Sequence, residues 1–281
     1  MPRHDLSGLM TRRGALRGLT AIAVGTVTGA GVYGYFHERR ALGVTRATLP
    51  VSGLPRALDG LRVGLLTDLH RSRVVTQEMA VVAVDRLMAE RPDLILLGGD
   101  YVTFSDPRFI EAAADALAPL DAPHGVFAVL GNHDDDRDVP AALVKRGIAV
   151  LKDARTRLAI RGEAIELAGL RFWTRRVDEI TRVLRGATAT TVLLAHDPRR
   201  LREAAALDVP LVLSGHTHGG QIVLPGLGAP AARRFPVVAG TARQDNTTIF
   251  VSRGVGTVYL PIRLNCPPEV AVLTLQTLGA L

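Results

Sequence analysis

Five short polar clusters along the 281-residue chain contain side chains of the kinds that bind divalent metal ions. Five of the eight histidines lie in these clusters, beside aspartate and asparagine. The candidate ligands are Asp68, His70, Asp100, Asn132, His196, His216 and His218. Imidazole and carboxylate groups together suit Mn, Fe and Zn. The sequence therefore predicts a metal site, and since the clusters contain no cysteine, a structural zinc site is excluded.

The spacing within two clusters has a physical reason. Asp68 and His70 are separated by one residue, and so are His216 and His218. Where a strand ends, residues i and i+2 point to the same side, so both members of each pair can reach one metal region.

Each cluster directly follows a short apolar run that is typical of a buried strand. These runs are residues 61–67, 94–97, 126–130, 191–195 and 211–213. Helical patterns lie between or after them, at residues 76–90, 107–117, 139–146, 177–184 and 201–206. Because ligands bind at the carboxyl ends of strands in α/β sheets, we expect the clusters to share one edge.

The rest of the chain is rich in strand patterns. Residues 158–170 predict a hairpin, and residues 237–239, 248–252 and 270–275 predict single strands. Alternating strands and helices followed by a run of strands favour stacked mixed sheets with helices outside. The predicted fold is therefore α/β, a four-layer αββα sandwich of two mixed β-sheets flanked by helices.

Composition and charge limit the classes of partner. Hydrophobic residues make up 47% of the chain and charged residues 22%, as in globular proteins. Residues 1–47 carry seven arginines and two acidic side chains, most of the net charge of +7. The nearly neutral remainder, with 4% aromatic residues overall, predicts no nucleic-acid partner. The single cysteine, Cys266, excludes an internal disulfide framework.

The N-terminal segment has the pattern of an export signal. Residues 11–17 read TRRGALR and precede an uncharged stretch at residues 18–36. The adjacent arginines resemble a twin-arginine signal, which implies the twin-arginine translocase as a partner. We expect residues 1–47 to be a signal or membrane anchor with a short linker, cleaved or retained, and residues 48–281 to be one domain. The predicted location is the cell envelope, facing outside the cytoplasm.

The order of the motifs adds a family resemblance. D-x-H, G-D, G-N-H-D, a later lone histidine and G-H-x-H resemble the calcineurin-like metallophosphoesterase superfamily over residues 61–275. The strings AHDP, SGHTHGGQ and PIRLNCPPEV are similar to those of a bacterial branch of exported or anchored phosphodiesterases. The resemblance implies that Asp68, His70 and His218 hold one divalent metal ion. It implies that Asn132, His196 and His216 hold a second, with Asp100 bridging both.

The resemblance also implies a reaction. A hydroxide bridging two Mn, Fe or Zn ions would attack the phosphorus of a phosphate ester. The favoured ester is a phosphodiester. His133 would face the leaving oxygen, and Asp134 could orient its ring. The chain departs from a common family pattern at Thr103, where many members have aspartate, and at Asp134, where many have glutamate. The departure at Thr103 puts the supporting role of an acid there in doubt.

Three alternatives stay open at the level of the sequence. One is a UDP-sugar-lipid pyrophosphatase of the same superfamily, whose cytoplasmic placement conflicts with the signal. Another is a non-enzymatic metal-dependent binding module, against which the presence of His133 argues. The third, a nuclease, conflicts with the near-neutral charge of the body. The substrate, a phospholipid or another cell-envelope phosphodiester, is left open by the sequence, as is the oligomeric state.

Overall fold

The computed structural model describes residues 12–278. Its helices are α1 (Arg12–Phe36), α2 (Gln77–Ala89), α3 (Ile110–Leu117), α4 (Asp138–Val144), α5 (Val177–Leu184) and α6 (Leu201–Ala206). Its strands are β1 (Gly43–Val51), β2 (Arg62–Leu66), β3 (Leu94–Leu97), β4 (Val126–Ala128), β5 (Ala149–Val150), β6 (Ala154–Ile160), β7 (Glu163–Leu170), β8 (Thr190–Ala195), β9 (Leu211–Ser214), β10 (Gly240–Gln244), β11 (Thr247–Val251) and β12 (Glu269–Thr277).

These strands form two six-stranded mixed sheets. The first has the order β1-β12-β2-β3-β4-β5, and the second has the order β10-β11-β9-β8-β7-β6. In the first sheet, β2 to β5 are parallel and β12 is antiparallel to β2. In the second, β7, β8, β9 and β11 are parallel, with antiparallel neighbours at both edges.

Apolar side chains fill three layers of core. Leu65 and Leu96 of the first sheet pack with Leu194, Leu213 and Phe250 of the second, which makes the central layer. Helices α2, α3 and α4 cover the outer face of the first sheet. Helices α5 and α6 cover the outer face of the second. The predicted four-layer α/β sandwich is confirmed.

Two parts of the strand pattern differ from the sequence-based expectation. Residues 237–239 are not a strand, because the Val238 carbonyl accepts a hydrogen bond from the Thr217 hydroxyl and the ladder begins only at Gly240. Strand β1 was not predicted, since its half-exposed residues include a charge and a proline. It pairs in parallel with β12 at the other end of the chain. β1 crosses the expected boundary between residues 47 and 48, and that boundary stays a prediction.

Helix α1 lies mostly outside the sandwich, but its last turns are attached to it. Residues 12–40 form a helical stretch of 29 residues that contains an 18-residue window with a mean hydropathy of 1.3, long and apolar enough to cross a membrane. Gly34 is buried against the backbone of Arg263. The buried Glu38 carboxylate accepts hydrogen bonds from the backbone N–H groups of Asn265 and Cys266. Residues 1–11, the first part of the predicted signal, lie outside the described residues.

Candidate metal centre

The five polar clusters meet at one end of the two sheets. They follow β2, β3, β4, β8 and β9, all of which end in the same direction within their sheets. Parallel alignment therefore brings residues that are up to 150 positions apart in sequence to one edge, as the sequence predicted.

One group of ligand atoms comes from the first and last clusters. Side-chain ligand atoms of Asp68, His70 and His218 lie within 4.8 Å of one another, and all three residues are buried. His218 Nε2 is 3.5 Å from Asp68 Oδ1 and 3.1 Å from His70 Nε2. These are the three residues that the sequence assigns to the first metal ion.

A second group lies beside the first. Ligand atoms of Asp100, His196 and His216 also lie within 4.8 Å of one another. The Asn132 side chain lines the same cavity as Asp100 and His216. The structure therefore brings six of the seven candidate ligands together in two adjacent groups, and Asn132 lines the cavity beside the second. His133 lies close enough to His70 and Asp100 to form a third, overlapping group.

Asp100 stands between the two groups. Its Oδ2 atom is 3.4 Å from His70 Nε2 and 3.2 Å from His196 Nε2. Its Oδ1 atom accepts a hydrogen bond of 2.8 Å from the His133 backbone N–H. One oxygen thus faces both groups, while the other fixes the carboxylate to the neighbouring loop.

The donor set fits divalent cations. Within the described residues, the buried atoms Asn132 Oδ1 and His196 Nε2 have no hydrogen-bond partner. His196 Nδ1 donates a 2.6 Å hydrogen bond to the Gly98 carbonyl, so Nε2 is the nitrogen that would bind a cation in place of a proton. Unpaired buried acceptors are costly, and a bound cation would satisfy both. The facing ring nitrogens of His70 and His218 would also share a cation better than a proton.

The backbone at this edge is strained. Five of the seven candidate ligands have a positive φ: Asp68 at 53°, His70 at 49°, Asp100 at 58°, His216 at 72° and His218 at 51°. This left-handed conformation is uncommon for residues with a side chain, and it costs about 1–3 kcal/mol per residue. The surrounding contacts must supply that free energy, and strain of this kind clusters at functional sites.

Two glycines leave room for the central carboxylates. A Cβ atom on Gly131 would overlap Asp100 Oδ1, and one on Gly215 would overlap Asp68 Oδ2. In these two clusters a glycine directly precedes the polar residues, because the carboxylates occupy the space of a side chain.

Burial and mutual charge set the protonation of the centre. Burial lowers the pKa of His196, but the Asp100 and Asp68 carboxylates outweigh it and raise the pKa to about 10. Burial and the charge of His196 lower the pKa of His216 to about 3. Burial also holds the pKa of His218 well below its usual value. Two carboxylates beside the His216 and His218 imidazoles, whose low pKa values favour their neutral forms, make a pocket that suits divalent cations.

His133 and Asp134 are placed differently from each other. The His133 ring is 4.9 Å from the His70 ring, and its Nδ1 atom accepts a 3.0 Å hydrogen bond from the Phe104 backbone N–H. Asp134 instead accepts hydrogen bonds from the backbone N–H groups of Asp100, Tyr101 and Gly131. The loop at Phe104, and not the Asp134 carboxylate, therefore orients the His133 ring.

The environment of Asp134 raises its pKa to about 7, because the group is buried and lies near the Asp100 charge. The three backbone donors act in the opposite direction. Asp134 is a positioning residue: it fixes the main chain at Asp100 and at the facing Gly131.

Several supporting residues carried little or no signal in the sequence. The Thr103 hydroxyl, where many relatives have an acid, lies 3.2 Å from His70 Nδ1 and can orient that ring. Arg263 is fully buried and donates to the backbone carbonyls of Gly256, Gly254 and Cys266. A basic residue in a proline-rich segment gives no indication that it is buried.

Gln221 and Tyr259 form a second supporting contact. The Gln221 side chain donates to the Leu260 carbonyl and accepts from the Val258 N–H, so it holds the loop that carries Tyr259. The Tyr259 ring is 6.3 Å from the His133 ring.

Comparison with known proteins yields a family match. A family model described as calcineurin-like phosphoesterase matches residues 61–220. An uncharacterized metallophosphoesterase, YkuE of Bacillus subtilis (strain 168), is 31% identical over 95% of this chain and 98% of its own. Phosphodiesterase YaeI of Escherichia coli (strain K12) is 35% identical over 76% of this chain and 82% of its own.

A similar protein is also found in an animal. A transmembrane protein with metallophosphoesterase domain from Bos taurus is 30% identical over 95% of this chain and 64% of its own length. The matched family model covers all five polar clusters, from Asp68 to His218.

Proposed function

The chain belongs to the calcineurin-like phosphoesterase family, and from this premise we propose that it is a phosphodiesterase that uses two divalent metal ions. The observation that carries the proposal is the pair of adjacent ligand groups with Asp100 Oδ2 between them. A single-metal site would need only one such group.

The two groups assign the ligands. Asp68, His70 and His218 would hold one ion, and His196, His216 and Asn132 would hold the other, with Asp100 shared. When bound, two such ions supply an activated water and neutralise charge on the phosphoryl oxygens. Mn, Fe and Zn all suit this mixture of imidazole and carboxylate.

His133 is proposed to act on the leaving oxygen. Because its Nδ1 accepts the Phe104 N–H, the neutral ring carries its proton on Nε2. Burial lowers the pKa of His133, which favours this neutral form. His133 would thus donate a hydrogen bond through Nε2 to the oxygen on which negative charge develops. A binding module would have no use for such a donor.

The preference for a diester is supported by a relative. YaeI, which shares 35% identity over 225 residues, is named a phosphodiesterase. The test is an assay of the full chain in detergent, stripped of metal with a chelator and then supplied with Mn²⁺. Bis(4-nitrophenyl) phosphate and 4-nitrophenyl phosphate are the paired substrates.

We expect Mn²⁺-dependent hydrolysis of the diester at a rate at least about ten times that of the monoester. Asp100→Asn should lower kcat on the order of 10³-fold, because the shared ligand loses its charge. Asp85→Asn, the same change at an exposed position on α2, is the control and should leave kcat unchanged. Metal-independent turnover or a preferred monoester would contradict the proposal. Cleavage of a UDP-sugar pyrophosphate with neither ester cleaved would favour the pyrophosphatase alternative.

We propose further that α1 holds the enzyme at a membrane, exported through the twin-arginine translocase and facing outside the cytoplasm. The length and hydropathy of residues 12–40 and the similarity to transmembrane relatives support membrane attachment. The Arg12-Arg13 pair supports the export route. Replacing both arginines with lysine should retain the protein in the cytoplasm, as measured by cell fractionation. Unchanged fractionation would contradict the route.

A further inference from the structure

A cavity of about 460 Å³ lies beside the metal centre, formed by three loops at residues 72–74, 103–109 and 257–261. We propose that this cavity binds the apolar part of a lipid phosphate ester, and that its rim rests on the bilayer that holds α1. The inference rests on the proposed phosphodiesterase function and names its substrate class.

The cavity adjoins the residue proposed to act on the leaving oxygen. Phe104 lines it, and the Phe104 ring is 4.9 Å from the His133 ring. Tyr259 lines both this cavity and the one that contains Asp100 and His218. A phosphate at the metal centre would therefore have this cavity next to one of its ester oxygens.

Four of the residues that line the cavity are apolar and exposed. Tyr259 is 79% exposed, Phe104 63%, Leu260 55% and Val74 37%, and we call these four residues the apolar rim. Single exposed apolar residues are ordinary, but four that surround one cavity indicate a surface for an apolar partner.

The apolar rim is joined to the end of α1, which identifies the partner as a bilayer. A Cβ atom on Gly34 would lie only 2.5 Å from the Arg263 carbonyl oxygen, so α1 packs directly on the segment that follows Leu260. Arg39 Nη1 donates a 3.2 Å hydrogen bond to the Val74 carbonyl. A membrane that holds α1 is thus fixed next to the rim, and Phe36, in the last turn of α1, is exposed and apolar.

The charges around the cavity suit a phosphate-bearing lipid. Arg73 and Arg108 line it and are exposed, and Asp106 pairs with Arg108 at 2.6 Å. This leaves an excess of positive charge at the mouth. Arginine beside an apolar surface is typical of proteins that rest on anionic lipid headgroups.

The first test places a fluorophore in the apolar rim. Trp173 is the chain's single tryptophan, so Leu260→Trp in a Trp173→Phe background reports on position 260 alone. The full chain is reconstituted through α1 into phosphatidylglycerol–phosphatidylcholine vesicles with brominated acyl chains. We expect at least half of the emission to be quenched.

The matched control is Val144→Trp in the same background. Val144 is similarly exposed but lies at the C-terminal end of α4, which runs away from the metal edge of the sheet. It should show little quenching. Equal quenching at the two positions, or none at position 260, would overturn the proposal. This readout needs no activity, so it is independent of the proposed phosphodiesterase function.

The second test measures chain-length preference by inhibition of bis(4-nitrophenyl) phosphate hydrolysis. Octyl phosphate should inhibit at a concentration at least about ten times lower than ethyl phosphate, because each buried methylene adds favourable transfer free energy. Leu260→Asp should reduce this ratio to near two, and Val144→Asp should preserve it. Equal inhibition by the two phosphates of the wild-type enzyme would overturn the lipid proposal while leaving the phosphodiesterase proposal intact.

Discussion

Five of the seven candidate ligands of the metal centre are buried, and backbone contacts fix Asp100 at its middle, whereas the adjacent apolar rim is exposed. Asp100 is held through both its carboxylate and its own N–H group. Leu260, at the rim, is positioned by a single side chain, that of Gln221, which binds its carbonyl. The difference indicates that the two regions have different roles. The metal centre is rigid and carries out the chemistry shared by the family, and the more loosely held apolar rim selects the particular substrate. Substitutions in the metal centre should lower the rate of hydrolysis of every substrate. Substitutions in the apolar rim should lower it for some substrates more than for others.

Removal of the His133 side chain should give the largest effect. Loss of a donor at the leaving oxygen is expected to lower kcat by about 10²–10⁴-fold, with metal content unchanged. The loss should be greater with diphenyl phosphate than with bis(4-nitrophenyl) phosphate, because the poorer leaving group carries more charge. Steady-state kinetics of His133→Ala on both esters is the measurement.

A structural role of His133 would instead lower both rates equally. His124→Ala serves as the control, since His124 lies in the turn before β4, at the opposite end of that strand from the cluster that contains His133. Equal losses on the two esters would remove His133 from the catalytic group.

A methyl group at position 131 should have the next largest effect. Gly131→Ala pushes on Asp100 Oδ1, and a displacement of about 1 Å at a reacting centre can lower the rate about 10²-fold. Gly43→Ala is the matched control, because the new methyl would meet only the Pro268 carbonyl at 3.9 Å. A Gly131→Ala enzyme with wild-type kcat would show that the metal centre is less rigid than proposed.

Loss of the Gln221 side chain should have the smallest effect and fall on substrate binding. Gln221→Ala removes the contacts to Val258 and Leu260, so the Tyr259 loop loosens. We expect KM for bis(4-nitrophenyl) phosphate to rise a few-fold, with a larger rise in the inhibition constant of octyl phosphate. A loss confined to kcat would place Gln221 with the metal centre instead.

The strands that the sequence could predict are those with a clear local pattern. The runs at residues 94–97 and 191–195 are short, almost wholly apolar and followed closely by polar residues, so β3 and β8 and the grouping of their clusters were predictable. Strand β1 was not, because its pairing partner β12 is more than 200 residues away and its own pattern is half exposed.

The site shows a similar limit. Ligand types and spacing identify the metal region because few residues can perform that chemistry. The contact of Phe104 with His133 and the burial of Arg263 depend on loop conformations with no local signature. The Asp134 carboxylate was expected to orient the His133 ring, but it accepts hydrogen bonds from backbone N–H groups instead. A carboxylate accepts equally well from any nearby N–H group, so the sequence does not indicate which donor it meets.

The most direct test of the account is the metal content of the folded chain. Elemental analysis of wild-type protein, loaded with Mn²⁺ and dialysed, should give about two ions per chain, as expected for a two-metal site. Asp100→Asn should retain one or fewer, since both groups lose their shared carboxylate, while Asp85→Asn should retain two. A folded wild-type chain with fewer than one ion, or an Asp100→Asn variant with two, would contradict the central claim.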